Sequence, residues 1–203
     1  MVTTGLDAKM SELKILEVGC GRGGGCAYIA KQFYPKKMVG LDLSSEAINF
    51  CKRTHTNDNL SFTSGDAENL PFQDADFDVV INTESSHGYP DFDAFINEVS
   101  RVLKPNGYFL FADFRLASAM NKLTNSLNQS TLTMIKKEEI TSFVVAALTR
   151  DSQRKEILID QSPVLWIFKK TLRQFAGCIG SQMYKDLCSR KRVYFFYVLQ
   201  KKR

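Results

Sequence analysis

Ten residues near the start of the chain, Leu16-Glu17-Val18-Gly19-Cys20-Gly21-Arg22-Gly23-Gly24-Gly25, combine one carboxylate with five closely spaced glycines. Glycines at this density let a backbone approach a ligand closely, with its N–H groups facing the ligand. The run Gly19-Cys20-Gly21-Arg22-Gly23-Gly24 also satisfies G-x-G-x-x-G. That pattern is weak by itself and makes a nicotinamide dinucleotide the first rival ligand. Glu17 weighs against the rival: a carboxylate two residues before Gly19 suits a cationic ligand group and suits a pyrophosphate poorly. Asp42 fits ribose hydroxyls under either reading. The stretch Gly65-Asp66-Ala67-Glu68-Asn69-Leu70-Pro71-Phe72, followed by Asp76-Phe77-Asp78-Val79-Val80, is a further departure from the dinucleotide pattern.

These residues need elements to hold them. Lys14–Val18 is an apolar run ending in the glycine turn and reads as a buried strand. Gly23–Phe33 reads as a helix with Cys26, Ile29, Ala30 and Phe33 on one face. Met38–Leu43 is a second buried strand, and Ser44 or Ser45 can cap a helix running to about His55. Leu60–Thr63 and Phe77–Asn82 are the third and fourth strands. Asp91 is an N-cap for a helix in which Phe92, Phe95, Ile96, Val99, Val102 and Leu103 recur at helical spacing. Lys104-Pro105-Asn106-Gly107 is a turn, Tyr108–Phe114 a fifth strand, and Arg192–Gln200 a late strand.

Residues 117–190 read as helical, with Ile140, Val144, Ala147 and Leu148 on one apolar face and Trp166, Phe168, Leu172 and Phe175 on another. The expected fold is therefore α/β: a Rossmann-like, doubly wound, mostly parallel sheet with a helical cap inserted before the last strand. Residues 1–203 are expected to form one domain, with 13–114 as cofactor-binding core, 117–190 as cap and 192–200 as terminal strand. Such sheets bind ligands at the carboxyl ends of their strands, where the motifs fall.

Taken together, Leu-Glu-Val-Gly-Cys-Gly, Gly-Leu-Asp-Leu-Ser, Gly-Asp-Ala-Glu-Asn-Leu-Pro-Phe, Phe-Asp-Val-Val and Val-Leu-Lys-Pro-Asn-Gly-Tyr resemble, over residues 13–114, the class I methyltransferases of the small-molecule "methyltransferase domain 11" type. Glu84-Ser85-Ser86-His87-Gly88-Tyr89-Pro90-Asp91-Phe92 and Phe111-Ala112-Asp113-Phe114-Arg115 resemble, more narrowly, the phthiotriolone/phenolphthiotriolone dimycocerosate O-methyltransferases and related O-methyltransferases of hydroxylated lipids, polyketides and quinolones. The resemblance implies S-adenosyl-L-methionine as cofactor. It places Glu17, Gly19 and Gly21 along the methionine portion, with Cys20 and Leu43 in the same cofactor set. Asp42 is implied to accept from the ribose hydroxyls, Asp66 and Ala67 to meet the adenine, and Asn82 to lie near the methionine amino group.

Methyl transfer to a hydroxyl is helped by a base that removes its proton. His87, just after the fourth strand, is the candidate, because imidazole takes up and releases protons near neutral pH. Asp113, ending the fifth strand, could orient that imidazole or act as base itself. Glu84 and Tyr89 are alternative groups facing the substrate. Aromatics between residues 143 and 184 suit an apolar acceptor as well as packing. N- or C-methylation of a sterol, quinone or amine, and a scaffold that binds cofactor without turnover, stay open beside O-methylation.

Composition narrows the setting. The net charge of +5 comes from 27 basic against 22 acidic residues in short clusters, a pattern of solvated surface rather than a nucleic-acid face. Five Cys without a C-x-x-C pair, and only two His, argue against a disulfide framework and against a metal site. No apolar run reaches a membrane span, so a reducing, cytoplasmic setting is expected; the oligomeric state stays open. Met1–Glu12 is too short for the N-terminal helices that relatives carry over the cofactor. This favours a shortened, weakly active chain or closure of the site by a partner.

Overall fold

The computed structural model describes residues 9–163 and 166–202; within the sixth helix nothing is described of the side chains of Trp166 and Phe175, two members of an expected apolar face. Seven strands, β1 (Lys14–Val18), β2 (Lys37–Asp42), β3 (Leu60–Ser64), β4 (Phe77–Thr83), β5 (Leu103–Leu116), β6 (Leu132–Glu139) and β7 (Arg192–Lys201), form one sheet in the order β3-β2-β1-β4-β5-β7-β6. The pairings β1·β2, β1·β4, β2·β3 and β4·β5 are parallel. β1, β2 and β4 are nearly continuous buried runs, as parallel strands covered on both faces must be. The chain builds outward from β1 through β2 to β3, then returns to place β4 and β5 on the other side. The carboxyl ends of β1 and β4 therefore flank the point where strand order reverses, which is where sheets of this kind leave a crevice.

Helices α1 (Gly24–Phe33), α2 (Ser45–Thr54) and α3 (Phe92–Val102) start and stop close to the sequence expectations. Ser44 Oγ accepts from the Ala47 N–H at the start of α2, and the Asp91 carboxylate accepts from Asp93 and Ala94 at the start of α3. Lys104–Gly107, expected as a turn, bulges inside β5: Phe77 pairs with Leu103 and Val79 with Tyr108, so the intervening residues loop out against Asp78 alone. Lys104 Nζ donates to both oxygens of Asp78 at 2.8 and 2.9 Å and pins that bulge.

The described chain groups into two units. One holds the residues up to Asp113 with Asn121–Lys137 and Phe196 onward; the other holds Phe114–Met120 and Glu138–Phe195. The expectation that 117–190 is helical needs correction. After α4 (Met120–Gln129) comes β6, a strand at the sheet edge reading Leu-Thr-Met-Ile-Lys-Lys-Glu-Glu. Its second half consists of helix-forming Lys and Glu, so propensity misleads there; charged residues are how an edge strand avoids further pairing.

In the second unit α5 (Thr141–Gln161), α6 (Trp166–Phe175) and α7 (Gln182–Cys188) follow. The buried face of α5 carries Thr141, Ser152 and Ile159, whereas Ala147, expected on it, is exposed, as is Phe168 on α6. The inward hydroxyls bond backbone: Thr141 Oγ1 accepts from the Tyr194 N–H at 2.9 Å and Ser152 Oγ from the Ile179 N–H at 3.1 Å. Among the described residues no helix is long and apolar enough to cross a membrane.

Packing beneath the glycine turn leaves no room for added volume. A Cβ on Gly40 of β2 would lie 2.6 Å from the Phe62 ring and 2.9 Å from Cys26 Sγ. Gly40→Ala is therefore expected to lower stability by about 1–3 kcal/mol, read as a drop in the urea midpoint with an unchanged denaturant slope.

Candidate functional site

β1 delivers the chain into the turn with Glu17 as its single acidic residue. Gly19, Gly21 and Gly23 all hold positive φ, at 75°, 53° and 76°, a backbone that side chains with a Cβ rarely adopt. The turn is tied to the end of β2: the N–H groups of Gly19 and Cys20 donate to the Leu41 carbonyl at 2.8 and 3.0 Å, and the Gly21 N–H donates to Asp42 Oδ2 at 2.8 Å. Asp42 Oδ1 accepts from the Ser44 N–H at 3.0 Å. One carboxylate thus clamps two loops, and a carboxylate has acceptor positions to spare for ligand hydroxyls. On the outer side the His55 ring contacts the Arg22 carbonyl at 2.9 Å, and the Arg22 guanidinium lies over Phe50.

A cavity of about 180 Å³ opens beside this turn, lined among others by Gly19, Asp42, Leu43, Asp66, Ala67 and Tyr89. Six of the expected site residues meet there. Gly65, Glu68, Ser85, Gly88 and Pro90 also line it, and sequence reasoning had not singled them out. Ser85 follows Glu84 in the loop after β4, where a serine signals a turn and no ligand. The volume is below the roughly 300 Å³ at which ligand pockets begin. The cause is visible at Gly19, where a Cβ would lie 2.0 Å from Ser85 Oγ and 2.9 Å from Tyr89 Oη. The 84–90 segment lies directly on the glycine turn. Glu84, where the segment leaves β4, holds a left-handed backbone at φ 52°.

Beneath that segment Asn82 is fully buried. Its Nδ2 donates to the Val18 carbonyl at 2.9 Å and to Tyr89 Oη at 3.1 Å, while its Oδ1 has no partner among the described residues. Tyr89 Oη and Ser85 Oγ share a hydrogen bond of 2.8 Å, and burial pushes the Tyr89 phenol up to about 12.

Glu17 is 8% exposed, and burial raises its carboxyl above the usual carboxylate range. The Cys26 thiol, donating to Oε2 at 2.8 Å, and the Cys26 backbone N–H oppose that rise. The Cys20 side chain, burial and the Glu17 carboxyl push the Cys26 thiol up in turn, so it stays S–H and donates. Gly25 is what lets the carboxyl lie against the start of α1, since a Cβ there would be 2.8 Å from Oε1. Glu17 and Gly25 also border a second cavity of about 300 Å³, walled by Tyr28, Ile29, Phe33, Ile81, Leu110 and Phe196.

Asp113 has a fully buried side chain that is bonded through both oxygens. The Ser86 hydroxyl and the His87 N–H reach Oδ2 at 2.8 and 2.9 Å, and His87 Nδ1 lies 2.9 Å from Oδ1. A carboxylate beside Nδ1 favours the tautomer that carries the proton there and orients the ring. The imidazole keeps 37% of its surface exposed. The other expected residues are not brought into the cavities: Glu84 is exposed, and the buried Cys20 directs its thiol to the Gly21 carbonyl at 3.9 Å.

The methyltransferase domain family matches residues 9–171 of the chain. The fatty-acid O-methyltransferase of Mycolicibacterium smegmatis is 43% identical over 171 residues, 82% of this chain and 62% of that protein. The phthiotriol/phenolphthiotriol dimycocerosates methyltransferase 1 of Mycobacterium ulcerans is 36% identical over 198 residues, 98% of this chain and 71% of its own length. The chain thus spans about three-fifths to seven-tenths of these relatives. Among solved structures, the geranyl diphosphate C-methyltransferase of Streptomyces coelicolor, complexed with S-adenosyl-L-homocysteine, superposes with a TM-score of 0.69 at 15% identity, over 97% of this chain and 76% of that one. The [4+2]-cyclase SpnF superposes with a TM-score of 0.73 at 19% identity, over 95% and 76%. The last pair share the fold alone, and their different reactions show that the fold does not choose the chemistry.

The buried Glu17 carboxyl generates a pH test. A folded-state pKa raised above the unfolded one means that ionisation opposes folding, so this contribution is lost as pH rises through the folded value. Glu17→Gln is expected to raise the thermal midpoint of the ligand-free protein by a few degrees above the carboxylate range. The gap should close as pH falls and Glu17 protonates, and thermal unfolding followed across pH reads both.

Proposed function

The chain belongs to the methyltransferase domain family, and we propose that it transfers a methyl group from S-adenosyl-L-methionine to the oxygen of a small apolar acceptor. The observation that carries the choice of oxygen is the His87–Asp113 pair, an imidazole held through Nδ1 by a buried carboxylate at the mouth of the sheet crevice. A free amine acceptor has less need of such a group, since it is already nucleophilic.

The residues fit the cofactor on grounds of their own. Among the described residues, Glu17 is a buried carboxyl facing a thiol and a backbone N–H, and Asn82 Oδ1 is a buried acceptor without a donor. Both suit an ammonium group. Asp42 presents spare acceptor positions to a ribose, and Asp66 and Ala67 line the same cavity at the side suited to the adenine. The cofactor supplies an electrophilic methyl on a sulfonium; the protein's work is alignment, which can contribute several kcal/mol. Because Ser85 and Tyr89 press on Gly19, the 84–90 segment has to shift for the methionine end to be seated. His87 moves with that segment, so seating the cofactor and placing the base are coupled.

In the transfer itself, His87 Nε2 takes the acceptor's hydroxyl proton as the oxygen attacks, and Asp113 positions the ring and stabilises its charge. The second cavity, with its aromatic and aliphatic walls meeting Glu17, supports an acceptor with an acyl or other apolar body. The name of the fatty-acid O-methyltransferase among the relatives points the same way.

The test joins binding to turnover. Fatty acids, phenols, quinolones and amines are offered with labelled cofactor, and the hydroxyl and carboxyl acceptors are expected to take the methyl. His87→Ala is expected to bind S-adenosyl-L-methionine in calorimetry as the parent does, with turnover on hydroxyl acceptors lowered by about 10²–10⁴-fold, an ionised carboxylate needing no base. Unchanged turnover on hydroxyl acceptors in that variant, or methylation confined to amines, overturns the assignment.

A further inference from the structure

Helix α5 carries large apolar residues on its outward face as well as its inward one. Its buried face carries Thr141 and Ser152 beside Ile159, while Phe143, Ile157 and Leu158 stand 67%, 49% and 53% exposed. At 3.6 residues per turn, Phe143, Ala147, Arg150, Arg154, Ile157 and Leu158 fall within roughly 100° of one another, on the side opposite Thr141, Ser152 and Ile159. All six are exposed. The stripe is thus apolar at both ends with two guanidinium groups between them. A helix face meant only for water reads otherwise, with its large apolar residues turned inward.

The surrounding charge has one sign. The unit made of Phe114–Met120 and Glu138–Phe195 holds 11 Lys and Arg against 6 Asp and Glu, an excess of +5 that equals the net charge of the whole chain. The other unit is balanced. Within α5 the carboxylates are turned off the stripe or to its edge: Glu156 and Asp160 pair with Arg173 of α6, and Asp151 at the margin pairs with Arg154. Arg150 bonds only the Ala146 carbonyl four residues back among the contacts described.

We propose that the outward stripe of α5 docks this protein on an anionic lipid bilayer, Phe143, Ile157 and Leu158 entering the headgroup boundary and Arg150 and Arg154 contacting lipid phosphates. Exposed aromatic and aliphatic anchors flanking arginines, on a unit carrying the full positive excess, are the elements of an interfacial helix. A protein partner that covered so apolar a stripe would not call for the positive field around it. The docking stands apart from the methyl-transfer reading and holds whether or not the acceptor is a lipid.

The experiment is co-sedimentation of the full chain with vesicles of phosphatidylcholine containing roughly one-quarter phosphatidylglycerol, against vesicles of phosphatidylcholine alone. Binding is expected to the first and not the second, and to weaken at about 0.5 M NaCl, where charges are screened over a few ångströms. Phe143→Asp with Ile157→Asp is expected to lower the partition coefficient at least about tenfold, with circular dichroism unchanged because both side chains are exposed. If that pair does not fold, Arg150→Glu with Arg154→Glu decides, with the same loss expected. Failure of the parent chain to sediment with anionic vesicles overturns the proposal. So does equal binding by the folded variants, or a dimer in sedimentation velocity that the same substitutions disperse.

Discussion

The site hangs on the clamp between the Gly19–Gly23 turn and the end of β2. Two N–H groups of the turn reach the Leu41 carbonyl and a third reaches Asp42 Oδ2. Three successive left-handed glycines make a backbone that has no conformational preference of its own, and these bonds supply it. The clamp sits at the reversal of strand order, so every residue assigned to cofactor binding is measured from it. Glu17 precedes it on β1, Asp42 forms it, and Ser85 and Tyr89 press on it from β4. The layers below are arranged to suit: Phe62, Cys26 and Cys51 fill the space that a Cβ on Gly23 or Gly40 would need.

Around that clamp the molecule keeps polar groups where folding alone would remove them. Glu17 lies buried at the apolar end of its strand, and Asn82 Oδ1 is buried without a partner among the described residues. Both oppose stability in the ligand-free chain, since buried polar groups ordinarily find partners. They converge on the same turn, which is the pattern of a site organised for a ligand that brings the missing positive charge and donors. The second unit is built by a different rule. α5 turns hydroxyls inward to bond the backbone of neighbouring segments and leaves Phe143, Ile157 and Leu158 outside.

Much of this was readable from residue order. Short apolar runs ending in Gly, Asp and Asn mark β1, β2 and β4 to within about a residue, because parallel strands buried on both faces have no polar alternation to blur them. Ser44 and Asp91 marked helix starts, since a cap is a local bond between neighbours. The edge strand β6 was not readable: its Lys-Lys-Glu-Glu half has the composition of a helix, and only the vacant sheet edge beside β7 makes it a strand. The apolar face expected on α5 failed for a related reason. Helical periodicity says which residues share a face, and tertiary hydrogen bonds to Thr141 and Ser152 settle which face turns inward.

Local pattern therefore carried the fold class and the glycine turn, and put forward Glu17, Asp42, Asp66, Asn82 and His87 as candidates, because each lies at or just beyond the end of a strand whose pattern is self-contained. Long-range placement carried the rest. Asp113 lies 26 residues beyond His87, and nothing in either segment states that β5 sets that carboxylate 2.9 Å from the imidazole. Ser85 and Pro90 join the cavity only because the 84–90 segment folds back over Gly19, and Gly65 because its N–H donates to the Asp42 carbonyl at the end of β2. Sequence spacing orders residues along one element, whereas a site is an intersection of several, and the sheet's strand order is what brings those elements to one point.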